Sequence, residues 1–378
     1  MSIAGLGPAG AVLAMRAVAR GYRVTACDPA VAEGDCLPLW PATYGVLAAD
    51  VPPWAESFFH PSFPLHVCTP TVRTLPFSYR MANKQALRDA FREAVAAGLV
   101  EVVRDARPDC DVDCSGAPRT DEALWQFAYG EVVDFSCGGD ATPTPAPTPL
   151  FMDWRCSLGA ADDGAPPSFC YIQPLGDGRW LWEETILSTH APADPDRHAE
   201  FYRVLERRLH HRRNQDPTAY GCDQVQGSET VAIPMGTRKG TLPHHFGAAG
   251  GAINPATGYS LGASLSDADM LLDELGRPSG VRGCVRRANR ALAYLLRQLG
   301  GELIAQASHE TCLSFFDAFF ALPARHQLAY LTGHNGVAVA ATMWALRKNT
   351  GFAHPFLMPL WKKPLTVAAA VRRRMRNS

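Results

Sequence analysis

The sequence predicts an α/β protein: a Rossmann-like parallel sheet that holds a nucleotide, an inserted mixed or antiparallel sheet, and a helical C-terminal region. Three observations predict it. The first ten residues contain G-x-G-x-x-G at Gly5, Gly7 and Gly10, followed by an apolar helical pattern. Strand patterns fill the middle of the chain. A second glycine-rich stretch, Phe246 to Ser260, returns far downstream and opens a mostly helical remainder. A cofactor domain split by an insert has this layout.

At the start, a short strand must turn tightly into a helix. Gly5 permits the turn, Gly7 lets backbone approach a phosphate, and Gly10 lets helix and strand pack closely. The N–H groups at the helix start then face the anion. Ala11 to Val18 reads as that helix, and Gly21 as its stop. Tyr22 to Cys27 is the second strand. It ends at Asp28, where an acid meets a ribose hydroxyl about 20 residues past the glycines. Pro8 and Ala9 at the variable positions lean toward FAD. The stretch lacks a basic leader and carries Arg16 and Arg20, so it does not read as a signal peptide.

Residues 29–80 read as irregular, rich in proline and in aromatics such as Trp40, Tyr44 and Trp54. Residues 82–98 read as a helix capped by Asn83 and stopped by Gly98, followed by strand Val100 to Val103. Asp111 to Gly116 reads as a strand meeting a small-residue turn, and residues 138–149 as a polyproline-like loop. Ser168 to Pro174 and Arg179 to Leu187 form a hairpin around Asp177-Gly178. Residues 195–213 make a basic helix and 229–234 a short strand. Gly247 and Ala248 bring backbone back to the cofactor, as do Pro255 and Gly258. Helices follow at 259–275, 280–299, 311–321, 323–332 and 335–348. The division expected is a discontinuous cofactor domain (1–120 and 236–275), a β-sheet substrate domain (121–235) and a helical region (276–378).

Composition narrows the function. The chain of 378 residues carries a net charge of −1, which gives no bias toward nucleic acid. Only 19% of residues are charged and 47% are hydrophobic, which fits an apolar ligand or a membrane surface. No run is long and apolar enough to span a bilayer. The 11 cysteines include no C-x-x-C pair; they read as reduced thiols, and no metal site is expected.

Trp180-Leu181-Trp182-Glu183-Glu184-Thr185-Ile186-Leu187 is the most unusual stretch. Two glutamates interrupt an aromatic strand. Alternation sends Trp180, Trp182 and Glu184 to one face and Leu181, Glu183 and Thr185 to the other. A carboxyl set among tryptophans is desolvated, stays neutral and becomes a proton donor. Asp50, Asp121 and Glu122 read as loop or capping acids. His60, His66, His244, His245 and His354 read as surface or satisfied histidines rather than catalytic ones.

With these residues in hand, the chain resembles the FAD-dependent lycopene cyclases, closest to the actinobacterial lycopene β-cyclase type. The resemblance runs nearly the whole length. It rests on the glycine turn, Thr43-Tyr44-Gly45-Val46, Asp113-Cys114-Ser115-Gly116, Met152-Asp153-Trp154-Arg155, Pro174 to Thr185, Ile233 to Gly236, Pro255-Ala256-Thr257-Gly258-Tyr259-Ser260 and Phe315 to Phe320. It implies a flavoprotein fold like that of the aromatic hydroxylases. It implies non-redox cyclisation of the ψ ends of lycopene to β-ionone rings, with reduced FAD required and NAD(P)H as reductant. Glu183 and Glu184 map to the family's acid/base motif. Trp180, Trp182, Thr257 and Tyr259 are the expected pocket walls. Asn254 stands where many members carry histidine, Trp182 replaces a smaller residue, and the first strand is short.

A bilayer-dissolved substrate implies a cytoplasmic protein bound peripherally to the inner face of the membrane. The tail offers Phe352, Phe356, Leu357, Met358, Leu360 and Trp361 beside Lys362, Lys363, Arg372, Arg373, Arg374 and Arg376, a pattern suited to anionic lipid. The competing readings are a flavin redox enzyme (an aromatic hydroxylase or polyprenyl reductase), a related polyene cyclase, or a carotenoid carrier without catalysis.

Overall fold

A computed structural model describes residues 1–105, 109–135, 147–155, 164–215, 225–236, 244–255, 257–275, 280–332, 335–351 and 353–377. The first sheet has five parallel strands. Strand β1 (Ser2–Ala4) lies between β2 (Val24–Cys27) and β7 (Val112–Asp113), with β6 (Val100–Val103) and β13 (His244–His245) at the edges. Helix α1 (Pro8–Ala19) starts on a proline, which needs no N–H there, and ends before Gly21 at φ 86°. Its Gly10, Ala11, Ala14 and Ala17 are small enough to lie flat on the sheet. Helix α2 (Lys84–Ala96) is capped by the Asn83 side chain, which accepts the Ala86 N–H.

The second sheet has eight strands in the order β12–β8–β11–β10–β9–β4–β5–β3. These are β3 (Gly45–Leu47), β4 (Phe63–Cys68), β5 (Val72–Met81), β8 (Leu124–Asp134), β9 (Leu150–Asp153), β10 (Ser168–Gly176), β11 (Arg179–His190) and β12 (Val225–Pro234). All neighbours are antiparallel except β4 and β9, so the sheet is mixed. The sheet curls until its two edges meet: the Thr43 hydroxyl, just before β3, donates to Glu229 on β12 at 2.8 Å.

Helix α3 (Ala199–Gln215) packs on the outer face, over β8 and β11. Helix α4 (Leu261–Glu274) returns to α1, where Arg16 pairs with Asp269 at 2.7 Å. The C-terminal helices are α5 (Val281–Ala305), α6 (His309–Phe320), α7 (Ala324–Thr332), α8 (Gly336–Thr350), α9 (Met358–Lys362) and α10 (Pro364–Asn377). Several cover the other face of the sheet with aromatic side chains, including Phe316 stacked on Trp154 at 4.7 Å.

The α/β class, the parallel first sheet, the mixed second sheet and the helical C-terminal region are those the sequence predicts. Two local readings are corrected. Residues 29–80 are not irregular: β3, β4 and β5 lie there and join the second sheet. Prolines at 64 and 76 and the lack of clean alternation hide these strands, although β4 and β5 pair with each other as a local hairpin. The strand read at 229–234 begins four residues earlier, at Val225. The polyproline-like segment lies mostly outside the described residues, as do Ala256 and Phe352.

Candidate active site

The register of the second sheet builds one row of side chains. Tyr171 on β10 opposes Glu183 on β11, Glu183 opposes Gly130 on β8, and Gly130 opposes Glu229 on β12. The next position along the strands pairs Thr185 with Ala128 and Ala128 with Val231. Side chains of one face alternate with a period of two. Glu183, Tyr171, Gln173, Leu181, Gln126 and Val231 therefore line one chamber of about 110 Å³. Tyr79 of β5 closes it from across the curled sheet, and Thr257, Gly258 and Tyr259 form its roof. Gly258 has φ 74°, and a Cβ there would strike the Gln126 side chain, so only glycine fits this roof.

Glu183 has no hydrogen-bond or ion-pair partner among the described residues, and its remaining accessible surface faces the chamber. Burial, reinforced by the nearby charge of Glu229, pushes its carboxyl well above the usual carboxylate range. Tyr171 and Tyr259 are raised well above an ordinary phenol, chiefly by burial. The site thus sets a carboxyl whose protonated form burial favours against three phenols, Tyr79, Tyr171 and Tyr259.

Glu184 points the other way. It is fully buried beneath α3, where Arg212 Nε donates to it at 2.7 Å and the Ser168 hydroxyl at 2.5 Å. Arg212 also donates to the carbonyls of Arg155 and Asp153, at 2.8 and 3.1 Å. Arg155 pairs with the Asp153 carboxylate at 2.8 Å. The Met-Asp-Trp-Arg and Glu-Glu-Thr segments therefore meet in one buried network on the outer face. Trp180 and Trp182 are not chamber walls. They pack on that same outer face with Ile172, Val133 and Leu209. The sequence expects a carboxyl among tryptophans to be the desolvated acid. The carboxyl among the tryptophans is Glu184, and a guanidinium compensates its burial.

A second cavity of about 590 Å³ shares the wall formed by Tyr44, Val231, Ile233 and Ser260 with the chamber. Gly7, Pro8, Ala9 and Ala248 line it. A Cβ on Gly5 would lie 2.6 Å from the Cys114 backbone, and one on Gly10 would lie 2.0 Å from the Gly5 carbonyl oxygen. Both glycines are therefore needed for the turn. A Cβ on Gly7 would meet nothing within 4 Å, so Gly7 leaves open space at the helix start. No side chain caps α1, and the first-turn N–H groups of Ala9 and Gly10 are placed for an anion. Gly247, at φ 62°, lies so close to α1 that a Cβ would sit 2.5 Å from Ala9 Cβ. Asp28 accepts the Leu6 N–H at 2.7 Å and the Ala30 N–H at 2.9 Å. It fixes the glycine turn and keeps lone pairs for a hydroxyl. These residues could hold a dinucleotide pyrophosphate. Pro255 packs against Gly301 of α5.

The Lycopene cyclase protein family matches residues 79–343, more than half of the chain. The chain belongs to the lycopene cyclase family. Both the chamber row and the Glu-Glu-Thr strand fall within the matched residues. A lycopene beta cyclase of Synechococcus elongatus is 23% identical, aligned over 87% of this chain and 88% of its own. An uncharacterized carotenoid cyclase of Deinococcus radiodurans is 26% identical over 92% and 90%. The chloroplastic lycopene beta cyclase of Arabidopsis thaliana is 23% identical over 88% and 74%. Among solved structures, a peptidyl tryptophan dihydroxylase aligns with TM-score 0.47 at 17% identity, covering 88% of this chain and 77% of that one.

Within this lycopene cyclase family member, Asn254 is a structural residue. It is buried, and its amide donates to the carbonyls of Tyr330 and Leu331 at 3.0 and 3.4 Å, tying the roof loop to α7. Sequence reasoning missed Tyr79, Tyr171, Gly130, Gln126 and Glu229. None sits in a recognisable local motif, and the sheet register alone brings them together. Asp50, read as a loop acid, is pushed up to about 6 by burial and lies against Gly262 at the start of α4.

Proposed function

We propose that the protein is a lycopene β-cyclase that closes the ψ ends of lycopene to β-ionone rings by acid catalysis, without net redox change. The observation that carries this reading is Glu183: a carboxyl whose neutral form burial favours, with no partner among the described residues, facing a chamber walled by tyrosines, in a chain of the lycopene cyclase family. The Glu183 carboxyl donates its proton to the terminal alkene. An internal double bond attacks the resulting cation and closes the six-membered ring. The Glu183 carboxylate then takes back a ring proton to leave the alkene. One proton enters and one leaves, so product and substrate are isomers. The faces of Tyr79, Tyr171 and Tyr259 stabilise the passing cation, in place of the Trp180 and Trp182 walls expected from the sequence. Thr257 and the apolar Leu181 and Val231 exclude the water that would otherwise capture it.

In this reading the 590 Å³ cavity holds FAD, with its pyrophosphate on Gly7 and the start of α1 and its ribose hydroxyl on Asp28. Reduced FAD, kept so by NAD(P)H, supplies negative charge that offsets the carbocation. Gly7→Val tests the cofactor assignment. Gly7 has φ −61° and ψ 175°, which any residue adopts, and a Cβ there meets no heavy atom within 4 Å. The variant is expected to keep its melting temperature while purifying without flavin absorbance. Full flavin occupancy would remove the phosphate site from this turn.

Among the described residues no helix is long and apolar enough to cross a membrane. The reading places the protein on an anionic membrane surface, where it collects lycopene. The tail contributes less than its sequence predicts. Phe356 is buried and stacked on Phe315 at 3.7 Å, and Arg374 is buried against Glu302 at 2.6 Å. Trp361, Leu365 and Trp344 are exposed, with Lys362, Lys363, Arg372 and Arg373 nearby in sequence. Replacing Trp344, Trp361 and Leu365 together by serine is expected to abolish flotation with anionic liposomes. Unchanged flotation would assign membrane contact to another surface.

Expression in lycopene-accumulating cells tests the function. Conversion to γ- or β-carotene is expected. Unchanged lycopene beside folded, flavin-loaded protein would contradict the reading.

A further inference from the structure

Glu229 stands across Gly130 from Glu183, in the same row of the sheet. A Cβ on Gly130 would lie 3.3 Å from Glu229 Cγ, 3.4 Å from Glu183 Cβ and 2.9 Å from Leu181 Cδ1. Any other residue on β8 would stand between the two glutamates. Glycine leaves them facing each other with no side chain between.

We propose that Glu229 is a positioning residue for the acid: held as an anion across the gap at Gly130, it keeps Glu183 in its proton-donating form. The inference rests on Glu183 being the acid proposed above. Two facing carboxyls do not both ionise readily, and their surroundings decide which keeps the proton. Burial pushes the Glu229 carboxyl up as well, but by less than that of Glu183, because Glu229 accepts the Thr43 hydroxyl at 2.8 Å and feels the ammonium of Lys84, and both favour its charged form. Lys84 is itself anchored on the carbonyls of Trp40 and Ala42 at 3.0 and 3.1 Å. Glu183 has neither kind of partner among the described residues. The other titratable groups that face the pair are phenols: Tyr171 on β10, Tyr79 on β5, Tyr259 in the roof and Tyr44 beside Glu229. Asp50 lies farther off, beyond Tyr79. Glu229 is also the residue that joins the two edges of the curled sheet. Closure of the sheet and protonation of the acid thus depend on the same contact with Thr43.

The sign of the effect follows. Removing the charge of Glu229 makes the Glu183 anion easier to form, so Glu183 loses its proton at lower pH. Glu229→Gln, in the full-length flavin-loaded protein with lycopene-containing vesicles, is expected to move the alkaline limb of the cyclisation rate down by about one pH unit. Above that limb the rate falls about tenfold against the unsubstituted protein, with little change on the acid side. The carboxylic-acid carbonyl band of Glu183, assigned in the infrared by its loss in Glu183→Gln, is expected to disappear at correspondingly lower pH. Thr43→Val, which withdraws the hydroxyl that favours the Glu229 anion, is expected to shift both readouts the same way by less. It carries the test if the Glu229 variant does not fold. An unmoved rate profile and an unmoved band, or loss of activity at every pH with the band unmoved, would overturn the role of Glu229 and leave the acid assignment standing. Full activity of Glu183→Gln would remove the acid itself, a distinguishable failure.

Discussion

Glu183→Gln is expected to lower cyclisation by about 10²- to 10⁴-fold, the usual contribution of a positioned acid, while fold and flavin content are retained. The amide is isosteric, and among the described residues Glu183 makes no ion pair or hydrogen bond whose loss would unfold the strand. The chamber keeps its shape and loses only its proton. Pigment analysis together with a thermal melt checks both halves of the expectation. Glu184→Gln separates the adjacent glutamates: a folded Glu184→Gln protein is expected to remain active, because Glu184 faces α3 and not the chamber. If instead the Glu184 variant is folded and inactive while the Glu183 variant turns over, the two faces of β11 have been assigned the wrong way round.

Arg212→Ala is expected to cost about 3–5 kcal/mol of stability, because it strands the Glu184 carboxylate in the interior. Glu184 loses its guanidinium and keeps the Ser168 hydroxyl, and Asp153 loses a charge 3.8 Å away. Chemical denaturation measures the loss as a lower midpoint. A change below about 1 kcal/mol, the range of an exposed pair, would mean that water reaches this network.

These two predictions divide what the sequence makes legible from what it does not. Alternation along Trp180–Leu187 separates Glu183 from Glu184 correctly. It does not reveal which face is a cavity and which is packed, because both faces of β11 are covered. Aromatic residues point to a pocket in the sequence, yet Trp180 and Trp182 fill the space beneath α3. The glycine turn, α1, β2, α2 and β6 are legible because their signals are local: caps, periodicity and stop glycines. Strands β3, β4, β5 and β9 escape because they are short or interrupted by proline; β4 and β5 pair locally, while β9 finds β4 from more than 80 residues away. Strand β8 escapes for a different reason. Leu124 to Ala128 are all buried, so no alternation shows. Since β8 places Gly130 between Glu183 and Glu229, missing it conceals the second carboxylate of the site. The cavity beside the glycine turn is more legible than the chamber. Its recognition depends on backbone conformations that only particular residues adopt, and glycines announce those.

The tail shows the same limit. A run of apolar and basic residues reads as a membrane anchor, but Arg374 turns inward to Glu302. Burial favours the neutral form of that carboxyl, yet the hydrogen bond from His190 and the charge of Arg374 hold it down to about 2. The last helix is thereby fixed to α5 as part of the fold.

The central claim is that Glu183 moves a proton onto and off the polyene with no net redox chemistry. Mass spectrometry of the carotenoid formed in heavy water by the flavin-loaded, reduced protein tests it most directly. The predicted product has the mass of lycopene with one hydrogen replaced by deuterium for each ring closed, and is absent with Glu183→Gln. A cyclic product without deuterium, or a product whose mass shows loss of hydrogen or gain of oxygen, would contradict the account.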